Sequence, residues 1–74
     1  MSVERLSHEK MIKVCNSLKV LEKPYQPYSE NSNWIRLAEN DEYAYEFNHI
    51  SADSRIIDKK TSQEIWNYYV DFYN

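Results

Sequence analysis

The sequence predicts a small α+β domain in which two helices flank an antiparallel sheet of two or three strands. An amphipathic stretch near the start, an alternating stretch in the middle and a helix-start motif near the end lead to this prediction. The chain of 74 residues, 42% of them hydrophobic and 28% charged, suits one domain, 1–74, with one small core. Because there is no glycine, turn residues with positive φ are expected to be asparagine or aspartate.

The first predicted helix runs from His8 to Glu22. Ser7 is suited to the N-cap position, and Leu6 and Met11 have the spacing of a hydrophobic staple around it. Apolar residues then recur at three- and four-residue steps and form one buried stripe. The stripe consists of Met11, Val14, Cys15, Leu18 and Leu21.

The helix is expected to end before Pro24, because proline disfavours a helical conformation in the residue that precedes it. An extended connection over 23–33 follows, with two prolines and a polar cluster. Residues 1–5 fit either an additional helical turn or a short edge strand.

A β-hairpin is predicted over about 34–48, with a loop at 40–42. A three-residue loop keeps the charged side chains on one face and the apolar ones on the other, whereas a two-residue loop at 40–41 would mix them. The predicted pairs are Ile35 with Phe47, Arg36 with Glu46 and Leu37 with Tyr45. The predicted core face consists of Ile35, Leu37, Tyr43, Tyr45 and Phe47. The residues predicted to point outward are Trp34, Arg36 and Glu46, with Glu39, Asp41 and Glu42 at the tip.

A third strand of three or four residues is predicted at 55–57, after a polar turn. The last helix is predicted to begin at Thr61, because Glu64 completes a capping box three residues later. Its aromatic face would contain Ile65, Trp66, Tyr69, Phe72 and Tyr73.

No pattern indicates an enzyme, a metal site or a cofactor. His8 and His49 are isolated, Cys15 lies on the apolar stripe, and no metal-binding, nucleophile or phosphate-loop motif occurs. One cysteine excludes an intramolecular disulfide. With no signal-peptide pattern and no apolar run of about 20 residues, the sequence predicts a cytoplasmic protein that does not contact a membrane.

The formal net charge of −3 is unevenly distributed: residues 1–37 hold six Lys/Arg and four Asp/Glu, and residues 38–74 hold three and eight. The lysines of the first helix point in several directions, so direct binding to nucleic acid is not predicted. Carboxylates that compete with DNA for a basic groove are a stronger hypothesis, because same-face strand residues lie about 6.8 Å apart, near two nucleotide rises of about 3.4 Å. The candidate partner-binding residues are Glu39, Asp41, Glu42, Glu46, Asp53 and Asp58, with exposed Trp34 as an anchor.

The stretch SQEIWNYY, 62–69, is similar to the peptides with which proteins bind replication clamps, although that pattern begins with Gln where this chain has Ser62. In length, acidity, absence of glycine and a residue usage typical of AT-rich genomes, the whole chain resembles the small host-takeover proteins of phages, and among them the sliding-clamp inhibitors of Twort-type staphylococcal phages. The resemblance implies a non-enzymatic inhibitor in the host cytoplasm. It would fill the DNA channel of the host's clamp with acidic side chains and block DNA replication.

Two other functions also fit the sequence. One is a DNA mimic or inhibitor directed at another host protein, such as a nucleoid protein, RNA polymerase or a CRISPR effector. The other is a small regulatory or structural domain with an ordinary acidic surface. Aromatic side chains left over from the last helix would also allow a homodimer.

Overall fold

The computed structural model describes residues 4–29 and 31–73. It shows a five-stranded antiparallel sheet in the order β1-β2-β3-β4-β5, preceded by one short helix. The elements are α1 (His8–Ser17), β1 (Lys19–Tyr25), β2 (Trp34–Glu39), β3 (Tyr43–Asn48), β4 (Ser54–Asp58), β5 (Gln63–Asn67) and a C-terminal π-helical turn (Tyr68–Tyr73). The predicted helix–sheet–helix arrangement with two or three strands is therefore wrong, because the fold is mainly a β-meander.

Helix α1 begins as predicted but ends early. The Ser7 hydroxyl accepts a hydrogen bond from the backbone N–H of Lys10 at 3.2 Å, which confirms Ser7 as the N-cap. The helix ends at Ser17 and not at Glu22, and Leu18 already has an extended backbone with ψ of 143°.

The residues predicted to form the last helical turns make strand β1 instead. Their backbone pairs with β2, with Lys19 opposite Glu39 and Val20 opposite Ala38, before the register shifts. Pairing satisfies the backbone polar groups that face β2, and Pro24 is tolerated because β1 is an edge strand. The three-residue step from Leu18 to Leu21 continues the helical spacing past Ser17, so the spacing alone does not locate the end of α1.

The hairpin of β2 and β3 has two of the three predicted pairs. The confirmed pairs are Ile35 with Phe47 and Arg36 with Glu46. Tyr45 lies opposite Ala38 and not Leu37, because a bulge between Arg36 and Ala38 adds one residue to β2.

Strand β4 contains the predicted third strand, whereas β5 replaces the start of the predicted last helix. Thr61 lies in the turn between β4 and β5, so the expected capping box does not form. A bulge in β5 leaves Ile65 without a partner on β4, and both Ile65 and Trp66 are buried, with 2% and 6% of their surface exposed. Burial of these two side chains stabilises the strand more than a helix cap would stabilise a helix there.

The core lies between α1 and one face of the sheet, called here the helix face. Its buried members are Val14, Ile56, Ile65 and Trp66. Tyr43, Tyr45 and Cys15 are partly buried against them, which confirms the predicted place of these three residues in the core. Ile35, Leu37 and Phe47 are half-buried outside this cluster.

Two turns use left-handed residues of an unexpected type. Among the described residues, φ is 63° at Ala52 and 59° at Ser62, so the prediction of asparagine or aspartate at such positions is wrong. The Ala52 N–H donates to the Asn48 carbonyl at 2.8 Å, and the Ser62 N–H donates to the Asp58 carbonyl at 2.7 Å. The side chains of Asn48 and Asp58 also accept hydrogen bonds from backbone N–H groups. Asn48 and Asp58 are therefore the first residues of these turns and not the residues with positive φ.

The two ends of the described chain contact each other. The Arg5 guanidinium pairs with both carboxylate oxygens of Asp71, and the His8 and Phe72 rings stack with centroids 5.9 Å apart. The sequence allows either a helical turn or an edge strand at residues 1–5. Residues 4 and 5 are neither helix nor strand, and residues 1–3 lie outside the described residues. No helix in the described part of the chain is long and apolar enough to cross a membrane.

Candidate partner-binding surface

A buried glutamate lies at the centre of the sheet face opposite α1, called here the polar face. Glu46 on β3 has 0% of its surface exposed, although the sequence predicts it to be solvated. It lies directly between Arg36 on β2 and Arg55 on β4 in the two strand pairings. Transfer of a carboxylate out of water costs several kcal/mol unless it is paired and hydrogen-bonded, so the two arginines make this burial possible.

Four side chains form what we call the Glu46 cluster: Tyr28, Arg36, Glu46 and Arg55. Arg36 Nε and Nη2 lie 3.1 and 3.0 Å from Oε2 of Glu46, and Arg55 Nε and Nη2 each lie 3.0 Å from Oε1. The Tyr28 hydroxyl is 2.8 and 2.7 Å from the same two oxygens. Throughout the described residues, every buried side-chain nitrogen or oxygen has a hydrogen-bond partner.

Aromatic rings lie over the two arginines of the cluster. The Trp34 ring centroid is 3.9 Å from Arg55 Cζ, and the Tyr25 centroid is 5.8 Å from Arg36 Cζ. These distances are those of cation–π contacts. Trp34 is half-buried by this contact, so the prediction of an exposed anchor at this position is wrong.

The surroundings of Arg36 keep its guanidinium charged. Burial lowers the pKa of Arg36, but hydrogen bonds from this guanidinium to Tyr28, Glu46 and Tyr25 raise it, and the net direction is upward. The polar face is therefore an internal salt-bridge network and not a row of carboxylates in water.

Glu39, a second predicted site residue, is also bound internally. Its Oε2 accepts a hydrogen bond from the Tyr25 hydroxyl at 2.8 Å, and its carboxylate lies 3.6 Å from Arg36 Nη1 and 3.5 Å from Lys59 Nζ. Burial raises the pKa of Glu39. The Tyr25 hydrogen bond and the charges of Lys59 and Arg36 lower this pKa by more than burial raises it, so the net shift is downward. Glu39 is neutralised by its neighbours and does not present a free charge to a partner.

Three other predicted acids, Asp41, Glu42 and Asp58, lie at one end of the sheet. Asp58 is opposite Tyr43 in the β3–β4 pairing, and the Lys59 N–H donates to the Glu42 carbonyl at 2.9 Å, so the two turns that carry these acids are adjacent. Asp41 and Glu42 are exposed, and none of the three forms an ion pair with another described residue. We call these three residues the acidic end.

Asn40 holds the turn of the acidic end in place. Its Oδ1 accepts the N–H groups of Glu42 and Tyr43 at 2.8 and 2.7 Å, and its Nδ2 donates to the Ser17 hydroxyl at 3.0 Å. Its carbonyl accepts a bond from Lys59 Nζ at 2.9 Å. The turn is therefore attached both to α1 and to the β4–β5 turn, which holds in place the backbone that carries Asp41 and Glu42.

Asp53 lies at the opposite end of the sheet. It belongs to the β3–β4 connection, where its Oδ2 accepts a bond from Asn67 Nδ2 at 2.8 Å and its Oδ1 accepts the Ser54 N–H at 2.8 Å. The six predicted acids therefore do not form one patch: three are together, two are in internal ion pairs, and Asp53 is separate.

The stretch that is similar to a clamp-binding peptide is part of the core. Ile65 lies in β5 with 2% of its surface exposed, and its neighbour Trp66 is also buried. A peptide of this kind must offer its side chains to a pocket on the clamp, and Ile65 could do so only if β5 left the sheet.

The described residues contain no group of three or more His, Cys, Asp or Glu side chains placed to hold a metal ion. His8 stacks on Phe72. Cys15 is half-buried, and burial raises the pKa of its thiol, which lowers the thiolate fraction at neutral pH.

The side chains that surround the acids of the polar face could not be predicted from the sequence. Tyr25 and Tyr28 fall within the extended connection expected over 23–33, and the sequence predicts no contact between these acids and Arg55 or Lys59. Opposite charges at facing strand positions, such as Arg36 and Glu46, are the only sequence signal for this network. Tyr25 reaches the network from the end of β1, and Tyr28 reaches it from the connection between β1 and β2, whose path the sequence does not specify.

Comparison with known proteins adds no relative. No protein-family model, curated protein or solved structure matches the chain significantly.

Proposed function

We propose that this protein is a phage-encoded, non-enzymatic inhibitor that acts in the host cytoplasm and binds the host's replicative DNA sliding clamp. The acidic end would occupy the DNA channel of the ring, with carboxylates in the positions of DNA phosphates, and would block loading onto DNA. The resemblance to small clamp inhibitors of phages suggests the partner, and the surface chemistry suggests the mode of binding.

The observation that carries this proposal is the separation of the acids into two sets. Glu39 and Glu46 are neutralised inside the protein, whereas Asp41 and Glu42 are exposed and form no ion pair with a described residue. Carboxylates of the second kind attract a basic groove and accelerate association with it.

The burial of Ile65 also favours this mode of binding over the peptide-pocket mode. Contact through the peptide pocket would require β5 to leave the sheet and would remove two buried side chains, Ile65 and Trp66, from the core. Contact through the acidic end requires no rearrangement of the described fold.

The test compares two triple variants that change the net charge equally. Asp41→Asn/Glu42→Gln/Asp58→Asn neutralises the acidic end, and the matched control Glu4→Gln/Glu9→Gln/Glu22→Gln neutralises three exposed acids elsewhere. In a clamp-binding assay, we expect the first variant to weaken binding at least about tenfold and the control to weaken it by no more than about threefold. Wild-type binding should weaken as salt is raised.

Three outcomes would overturn the proposal. They are the absence of clamp binding, equal loss in both variants, and salt-independent binding that Tyr68→Ala abolishes. Capture of a different DNA-binding protein from a lysate of a low-GC Gram-positive bacterium, with no clamp recovered, would reassign the partner.

A further inference from the structure

The two edges of the sheet differ in how they are covered. At β5, the Leu6 N–H donates to the Ile65 carbonyl at 2.8 Å, so the chain itself covers part of that edge. Strand β1 pairs only with β2, and its other edge has no partner among the described residues. An open strand edge presents backbone N–H and C=O groups that can bind another strand.

An apolar groove lies beside this edge on the helix face. It has a volume of about 300 Å³ and is lined by Cys15, Leu18, Val20, Ala38 and Tyr45. Val20 on β1 is 79% exposed, and Ile12 on the same side of α1 as Cys15 is 45% exposed. A strand added to β1 would therefore meet backbone groups at the edge and apolar surface next to them, the combination found in strand-addition sites.

The charges of β1 indicate which strand would fit. Lys19 and Lys23 are both exposed, and neither forms an ion pair with another described residue; the one acid of β1 is Glu22, also exposed. A second copy of β1 paired antiparallel about Leu21 would place Lys19 opposite Lys23, which is repulsive. Pro24 has no N–H to donate, so pairing would be limited to the stretch before it.

We propose that the β1 edge binds an extended segment of a partner protein in which acidic residues flank an apolar pair. In an antiparallel register, the acids would lie opposite Lys19 and Lys23, and the apolar pair opposite Val20 and Leu21. The segment would add a sixth strand to the sheet. This site does not depend on the proposed function, because an acidic segment could bind β1 whether or not the protein binds a clamp.

The probe is the peptide acetyl-SETVLES-amide, and the control is acetyl-SKTVLKS-amide, in which lysines replace the acids. Each is titrated into the full-length protein while backbone amide shifts are recorded by NMR. We expect the acidic peptide to shift the amides of 19–23 and of the groove residues saturably, and the lysine peptide to cause no saturable shift. Lys19→Glu/Lys23→Glu should weaken the acidic peptide at least about tenfold.

The matched control is Lys10→Glu/Lys13→Glu, which reverses two exposed charges on α1 and should weaken the acidic peptide by no more than about threefold. Equal shifts with both peptides, or shifts located away from β1, would overturn the proposal. So would β1 shifts that depend on protein concentration alone, because they would show that a second copy occupies the edge.

Discussion

The Tyr28 hydroxyl lies 2.8 and 2.7 Å from the two carboxylate oxygens of Glu46, although the residues are 18 positions apart. Tyr28 belongs to the connection between β1 and β2, and Glu46 is at the centre of β3. This contact closes the polar face, because it places the Tyr28 ring 5.6 Å from Cζ of Arg55, one of the two arginines that neutralise the carboxylate. It also explains why a glutamate in an alternating strand is buried.

Glu46→Gln is expected to lower the free energy of unfolding by about 3–5 kcal/mol, because it leaves two arginines near a site without a negative charge. Tyr28→Phe removes one hydrogen bond to a charged group and should cost about 1.5–3 kcal/mol. Urea denaturation followed by tryptophan fluorescence measures both. The control is Glu42→Gln at an exposed position, expected to change stability by no more than about 0.5 kcal/mol. A similar small effect at positions 42 and 46 would show that the Glu46 cluster does not stabilise the fold.

Ala52→Gly and Ser62→Gly are each expected to stabilise the protein by about 0.5–1 kcal/mol. At φ of 63° and 59°, a residue with a Cβ atom is strained by about 1–2 kcal/mol, and glycine removes that strain at a smaller entropic cost. Thermal unfolding gives the change. Ala44→Gly in the buried centre of β3 serves as the control and should destabilise the protein, so a loss of stability at all three positions would contradict the left-handed assignment.

The Arg5–Asp71 pair should stabilise the protein in a pH-dependent manner. The hydrogen bond and charge of Arg5, together with the Asn67 N–H, lower the pKa of Asp71 against the opposing effect of burial. A group whose pKa is lower in the folded state contributes fully above its unfolded pKa, about 3.9, and loses that contribution as the pH falls through the folded value. The difference in the free energy of unfolding between wild type and Asp71→Asn should therefore be largest near neutral pH and should decrease as the pH is lowered. Urea titrations at several pH values measure it, and in an Arg5→Gln background, which lacks the partner, the effect of Asp71→Asn should become much smaller. A difference that grows as the pH falls would contradict the pairing.

The candidate site could be predicted in part. The exposure of Asp41 and Glu42 follows from their place at a hairpin tip, where polar residues avoid burial, and the sequence predicts it correctly. The neutralisation of Glu39 and Glu46 could not be predicted, because their partners come from other strands and from the 26–29 segment. In a strand where polar and apolar residues alternate, a glutamate on the polar side can face either water or a cation. The alternation is the same in both cases, so it does not predict which one occurs.

The sequence by itself determined the features that depend on neighbouring residues. These are the Ser7 cap, the β2–β3 hairpin with its Arg36–Glu46 pair, and the strand at Arg55–Ile57. The tertiary structure alone decided that 19–25 and 63–67 are strands, that Ala52 and Ser62 are left-handed, and that Glu46 is buried. The reason is that backbone pairing and charge burial are stabilised by partners distant in the chain, and those interactions outweigh the local preference for a longer helix, a capped helix or a solvated acid.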